Sequence, residues 1–170
     1  HAEHTLQRLA AEVVRDGAAA SIVDHLVTFI ARAPDLDVQR LRPLAYAERF
    51  RLQPDAVVEA FLRGGHRGLL TMRWETICPV CRVPSNELDT LAELREHAHC
   101  PACDAGYEVD FKGSVELTFR VTHAIRKVER QNYCLSGPHR FPHVVAQVRL
   151  APNERIHLHL GLAEGAYRVR

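Results

Sequence analysis

Two Cys-x-x-Cys pairs constrain this chain more than any other feature. Cys78 and Cys81 form the first and Cys100 and Cys103 the second, with eighteen residues between Cys81 and Cys100. This is the spacing of a tetrahedral zinc site built from two knuckles. Zinc accepts four thiolates at roughly 2.3 Å, so two close pairs on two tight turns complete its shell. Pro79 and Pro101 follow the first cysteine of each pair, and their fixed φ suits a turn. Two redox pairs or disulfides are the alternative, but matched motifs at ribbon spacing with no secretory signal argue against them. Replacement of one thiolate by His97 or His99 would give a variant of the same site with three cysteines and one histidine. Arg82 is placed to donate to the sulfurs and offset the charge of a tetrathiolate. A closed four-thiolate shell has no position for water or substrate, so it points to structure and not to catalysis.

Charge narrows the partners. Lys+Arg total 22 against Asp+Glu of 21, a net charge of +1. Such balance gives no electrostatic case for binding nucleic acid through its phosphates. No apolar run approaches the roughly 18 residues of a membrane span, and no signal-peptide pattern opens the chain. A chain that opens on His1 instead of Met is expected to be part of a longer product.

Along the chain, helices come first. Leu6, Leu9, Ala10, Val13 and Val14 predict a helix over 5–16, stopped by Gly17. Ser21 and Asp24 mark the start of a second, with the preceding alanines able to extend it backwards; it is apolar over a wide arc and ends at Ala33-Pro34. A short helical connector over 35–42 follows. Pro43 and Pro54 each open a further helix, with Gly64-Gly65 weakening the end of the last. Leu69 to Ile77 reads as a strand, with Leu70, Met72, Trp74 and Thr76 on one face. Helix, turn, helix and strand in that order suggest a winged-helix-like unit. Its second helix carries Asp55 and Glu59 in the half that would meet base edges, which disfavours DNA reading.

Between the knuckles, Leu88, Leu91 and Leu94 predict a short helix over 87–97. Beyond Cys103, Tyr107, Val109 and Phe111 and then Val115, Leu117, Phe119 and Val121 alternate across Lys112-Gly113-Ser114, predicting a hairpin. Further strands are expected over 144–150 and 156–160, and the stretch 122–141 is expected to be loop-rich.

One stretch resembles a known family. Gly68-Leu-Leu-Thr-Met-Arg-Trp-Glu-Thr-Ile-Cys-Pro-Val-Cys-Arg82 is similar to the amino-terminal regulatory region, of unassigned biochemical role, found ahead of bacterial class III adenylate/guanylate cyclase catalytic domains. The similarity continues at His99-Cys-Pro-Ala-Cys103, Ser114 to Phe119, Ala124 to Arg126, Tyr133-Cys-Leu-Ser-Gly-Pro138 and Pro142 to Gln147. It implies a cytoplasmic, multidomain signalling protein in which this region precedes a cyclase. It supplies no catalytic residue. A class III cyclase needs metal-binding carboxylates on an α/β domain of its own, which would lie beyond Arg170.

Other groupings are looser. Cys134, His139 and His143 form a candidate ligand or second metal site, against the plainer reading of a small buried cysteine beside exposed histidines. His157 and His159 share a strand face, as do Arg168 and Arg170; a solvated sheet face explains both. No nucleophile elbow, phosphate loop or paired-carboxylate motif is present.

These readings define the expectations. The fold class is α+β: a helical segment over 1–34, a winged-helix-like module over 35–77, a four-cysteine zinc ribbon over 78–104 and an antiparallel β domain over 105–170. The metal ligands are Cys78, Cys81, Cys100 and Cys103, with structural Zn2+. The function is that of a non-catalytic regulatory or interaction module. Its partner is a cyclase catalytic domain in the same parent chain or a small ligand, and a homodimer is compatible with the sequence. The alternatives are a winged-helix and zinc-ribbon DNA-binding regulator, and a metal- or ligand-binding domain using Cys134 and its neighbouring histidines.

Overall fold

The computed structural model describes residues 2–128, 145–146, 148, 150 and 152–167. Five helices lead: α1 (Ala2–Arg15), α2 (Ala20–Arg32), α3 (Asp35–Val38), α4 (Pro43–Phe50) and α5 (Pro54–His66). Their inward faces are the ones the apolar spacing marks, such as Leu6, Leu9, Ala10 and Val13 on α1. Pro43 and Pro54 occupy first-turn positions, where a missing N–H costs nothing. Gly17 adopts φ +104° two residues after α1, a conformation that side chains resist. The Ser21 start signal is not used: α2 begins at Ala20 with no side-chain cap. Helix α5 runs through Gly64 and Gly65 to His66. A Cβ at Gly65 would lie 3.4 Å from the Phe119 ring, in ordinary contact with the sheet.

The strands are β1 (Leu70–Ile77), β2 (Pro84–Leu88), β3 (His97–Cys100), β4 (Ala105–Glu108) and β5 (Val115–Val121), with a helical turn α6 (Phe111–Ser114) before β5. One antiparallel sheet has the order β2-β1-β5, and β3 with β4 forms a second. The fold is therefore α+β. Phe119 on β5 meets Phe61 of α5 edge to face at 5.3 Å, and Phe61 meets Tyr46 of α4 at the same distance. Helices and sheet thus share one core, which takes in Leu26, Ile30, Val57, Phe61, Leu69, Leu70 and Phe119.

Two expectations in this region fail for identifiable reasons. No helix spans 87–97: residues up to Leu88 pair with β1, a three-residue 3-10 turn at Leu91–Glu93 follows, and His97 begins β3. The leucine spacing found no core to face, and Leu91 stays 37% exposed. Thr90 caps the turn together with Glu93, a local solution that needs no packing. The hairpin over 107–121 also fails. Tyr107 belongs to β4, which pairs back onto β3, while β5 pairs with β1. Asp110 breaks the run between them, its carboxylate accepting from the N–H groups of Lys112 and Gly113.

The chain divides into two compact units, 1–132 and 133–170, and every element named above lies in the first. The described residues of the second contain no helix or strand. The strand expected over 156–160 is absent, and Ile156, Leu158 and Leu160 are 44–51% exposed. Alternation supplies a strand with a face, yet no backbone partner meets it among the described residues. The strand expected over 144–150 is not seen at its described residues either, and its remaining positions lie outside them.

Arg126 fastens the chain after β5 to the helices. Its Nη1 donates to the carbonyls of Ile30 and Ala33 at 2.7 and 2.8 Å, and its Nη2 to Asp35 at 2.5 Å. The carbonyls belong to the end of α2, where the backbone lacks internal donors. Arg126→Ala is expected to destabilise the fold by about 2 kcal/mol, the scale of charge-assisted hydrogen bonds to partly buried groups. Urea unfolding with an unchanged m-value checks this.

Candidate metal centre

Each Cys-x-x-Cys pair sits at the turn of a β-hairpin. Strands β1 and β2 close at Ile77 and Pro84, with Cys78 and Cys81 in the loop between them. Strands β3 and β4 close at Cys100 and Ala105, with Cys103 in that loop. A register shift between Thr76 and Ile77 marks a bulge just before the first knuckle. Within that knuckle the Arg82 N–H donates to Cys78 O at 2.9 Å, and the Cys78 N–H to Val83 O at 3.1 Å. Arg82 and Asp104, each directly after the second cysteine of its pair, have φ of 59° and 51°. Both knuckles therefore end in the same left-handed residue, without the glycine that would adopt it most readily.

The loops bring the four sulfurs together, all within 4.8 Å of one another. Cys81 Sγ lies 3.7 Å from Cys100 Sγ, and Cys78 Sγ lies 4.0 Å from Cys103 Sγ. These separations far exceed a disulfide bond, and the four thiols are free. A tetrahedral ion with metal–sulfur bonds of roughly 2.3 Å sets its ligand atoms about 3.8 Å apart, so the donor set fits a thiophilic metal ion. Cys78, Cys81 and Cys100 are buried, and Val83, Ala102 and Tyr107 pack against them.

The thiols respond unequally to this crowding. Burial would raise Cys78, but the backbone N–H groups of Cys81 and Val80 and the thiols of Cys81 and Cys100 hold it at about 7. Burial, then the neighbouring sulfurs, push Cys81 far up against the opposing Val83 N–H. Cys103 is also raised: Cys81 draws it down, while burial, Cys78 and Cys100 outweigh that pull. A bound dication reverses this logic, since it takes its cysteines as thiolates and releases their protons.

His97 and His99 stand outside the cluster. Both are exposed, and His99 Nε2 lies 3.2 Å from Asp104 Oδ1. Arg82 donates to Gly113 O at 3.1 Å, so this contact ties the first knuckle to α6. Cys134, His139 and His143 lie outside the described residues, and His123, His157 and His159 are exposed. The sequence reading missed the tie between the hairpins. Ser85 on β2 meets Tyr107 OH of β4 at 2.5 Å and donates to Thr76 O of β1 at 3.1 Å. A polar residue in the second place of an edge strand gives no signal of such a role.

The left-handed residues offer a direct check of the knuckle geometry. Asp104→Gly is expected to stabilise the metal-loaded protein by about 0.5 kcal/mol, through relief of a side chain at positive φ. The Asp104 side chain is 92% exposed, so little contact is lost. Thermal unfolding at fixed metal concentration checks this, with a small upward shift expected.

No curated protein and no solved structure matches the chain. A model described as "Family of unknown function (DUF5939)" matches residues 4–161. With most of its length covered by that match, the chain belongs to that family.

Proposed function

We propose that this chain is a non-catalytic, zinc-stabilised regulatory and interaction module of a bacterial adenylate/guanylate cyclase-type signalling protein. The observation that carries the structural half is the closed cluster of four sulfurs, three of them on buried cysteines. Zinc suits it because tetrahedral thiolate sites of two knuckles favour this ion, and because a full thiolate shell has no open coordination position. The regulatory half rests on the resemblance of residues 68–82 and the later segments to regions that precede cyclase domains. Zinc stabilises short hairpins with little core of their own, and the surfaces they orient would contact a neighbouring domain.

The DNA-reading alternative draws support only from the order α4, turn, α5, β1. The two arginines of α5 and its end are engaged elsewhere. Arg63 pairs with Glu59 and donates to Asp16 O, and Arg67 grips the Asp16 carboxylate. Asp55 and Glu59 on that helix are exposed and acidic, which opposes phosphate contact.

The test is cyclic-nucleotide formation by the full-length parent protein, with and without Cys100→Ser. The expected result is a change of severalfold in rate without abolition, and no activity from the 170-residue chain alone. A parent with no cyclase domain, or a rate indifferent to the substitution, contradicts the proposal. Salt-dependent binding of duplex DNA would favour the alternative.

A further inference from the structure

A polar cleft of about 370 Å³ lies beside the three-stranded sheet, apart from the four-cysteine cluster. Gln39 and Arg40, from the connector after α3, form part of its wall. Glu75 of β1, residues 84–87 and Arg120 of β5 complete it. Glu75 is 1% exposed, an unusual place for a carboxylate. Its Oε2 accepts from Arg40 Nε at 2.5 Å, and its Oε1 lies 3.7 Å from Arg120 Nη2. Arg40 Nη2 donates to Glu116 at 2.6 Å.

Arg120 is incompletely satisfied. Its Nη2 donates to Glu87, yet its buried Nε has no hydrogen-bond partner among the described residues. Buried donors are almost always paired. The N–H groups of Nε and Nη2 form the parallel fork of a guanidinium, which takes both oxygens of one carboxylate. This protein shows that fork filled elsewhere: Arg67 gives Nε to one oxygen of Asp16 and Nη2 to the other. In Arg120 the fork is half filled. Glu87, which half fills it, sits on edge strand β2 with its side chain 31% exposed.

We propose that this cleft binds a small carboxylate-bearing molecule, whose carboxylate takes the Nε/Nη2 fork of Arg120 in place of Glu87. Charge selects a monoanion. Arg40 and Arg120 face Glu75 and Glu87 across the cleft, and a monocarboxylate adds a single negative charge there while Glu87 turns toward solvent. A dianionic phosphate would set an extra negative charge beside buried Glu75. Burial above all depresses the Arg120 pKa, Glu75 opposes this, and Arg73 and Arg40 add to it, so a second close anion is favoured at this guanidinium. The volume lies at the small end of ligand sites, which limits the occupant to a compact acid. Arg40, Gln39 and Asn86 form the wall that its other polar groups would meet. This inference goes beyond the regulatory reading and stands without it, because it rests on the cleft and the fork alone.

The experiment follows the arginine Nε–H resonances of the 15N-labelled 170-residue chain during titration with sodium acetate. Parallel titrations use sodium phosphate, and sodium chloride at matched ionic strength. The Arg120 signal is assigned by its loss in Arg120→Lys. A saturable shift of that signal with acetate, weaker with phosphate and absent with chloride, is expected. Glu87→Gln removes the internal competitor and should tighten acetate binding by up to about fivefold, the scale of a partly exposed ion pair. This surface substitution leaves the core intact, so it decides the matter even if Arg120→Lys does not fold. No saturable shift in both wild type and Glu87→Gln, or the same response to chloride, overturns the site. Tighter binding of phosphate than of acetate overturns the assignment to a carboxylate.

Discussion

The convergence of four sulfurs is the constraint on which the hairpin region depends. Strands β3 and β4 have four residues each, and a two-stranded hairpin of that length is marginal in water. Val83, Ala102 and Tyr107 add only a small apolar cluster around the cysteines. A structural zinc site, by contrast, contributes on the order of 10 kcal/mol of apparent binding energy that is also folding energy. A metal ion in this cluster would outweigh the apolar contacts, its ligand shell setting the hairpin geometry with the Ser85–Tyr107 contact as a secondary tie. Held by all four sulfurs, such an ion would act as a clamp with no reacting position.

Strand β1 carries that constraint into the rest of the first unit. Its far end leads into Cys78, its middle pairs with both β2 and β5, and its start at Leu70 enters the common core with α5. The middle of the strand is polar where a core strand is normally apolar. Glu75 is buried against Arg40, and Thr76 is hydrogen-bonded to Ser85. A buried ion pair is weak evidence for stability, since the loss of hydration offsets most of its attraction. Here the pair forms part of the wall of a cleft lined by two guanidinium groups.

Much of this was legible in the sequence because the signals were local. Prolines at helix starts, apolar positions spaced for one helical face and the paired cysteines each act within a few residues. The failures were non-local. Leu88, Leu91 and Leu94 have helical spacing, but pairing of Glu87 and Leu88 with β1 removed the start of that helix. Tyr107 and Phe119 alternate as partners would, yet each belongs to a different sheet. The four cysteines could be named from spacing alone. The burial of Glu75 and the half-filled fork of Arg120 could not, because an acidic residue and an arginine on strands carry no mark of the partner that meets them.

The central claim is that one metal ion is held by all four sulfurs. X-ray absorption at the zinc edge, recorded on the purified zinc-loaded chain, tests it most directly. Four sulfur scatterers at about 2.3 Å, with no nitrogen or oxygen in the first shell, are the predicted result. A mixed shell containing light atoms, or fewer than four sulfurs, would contradict the closed clamp and reopen a coordination position.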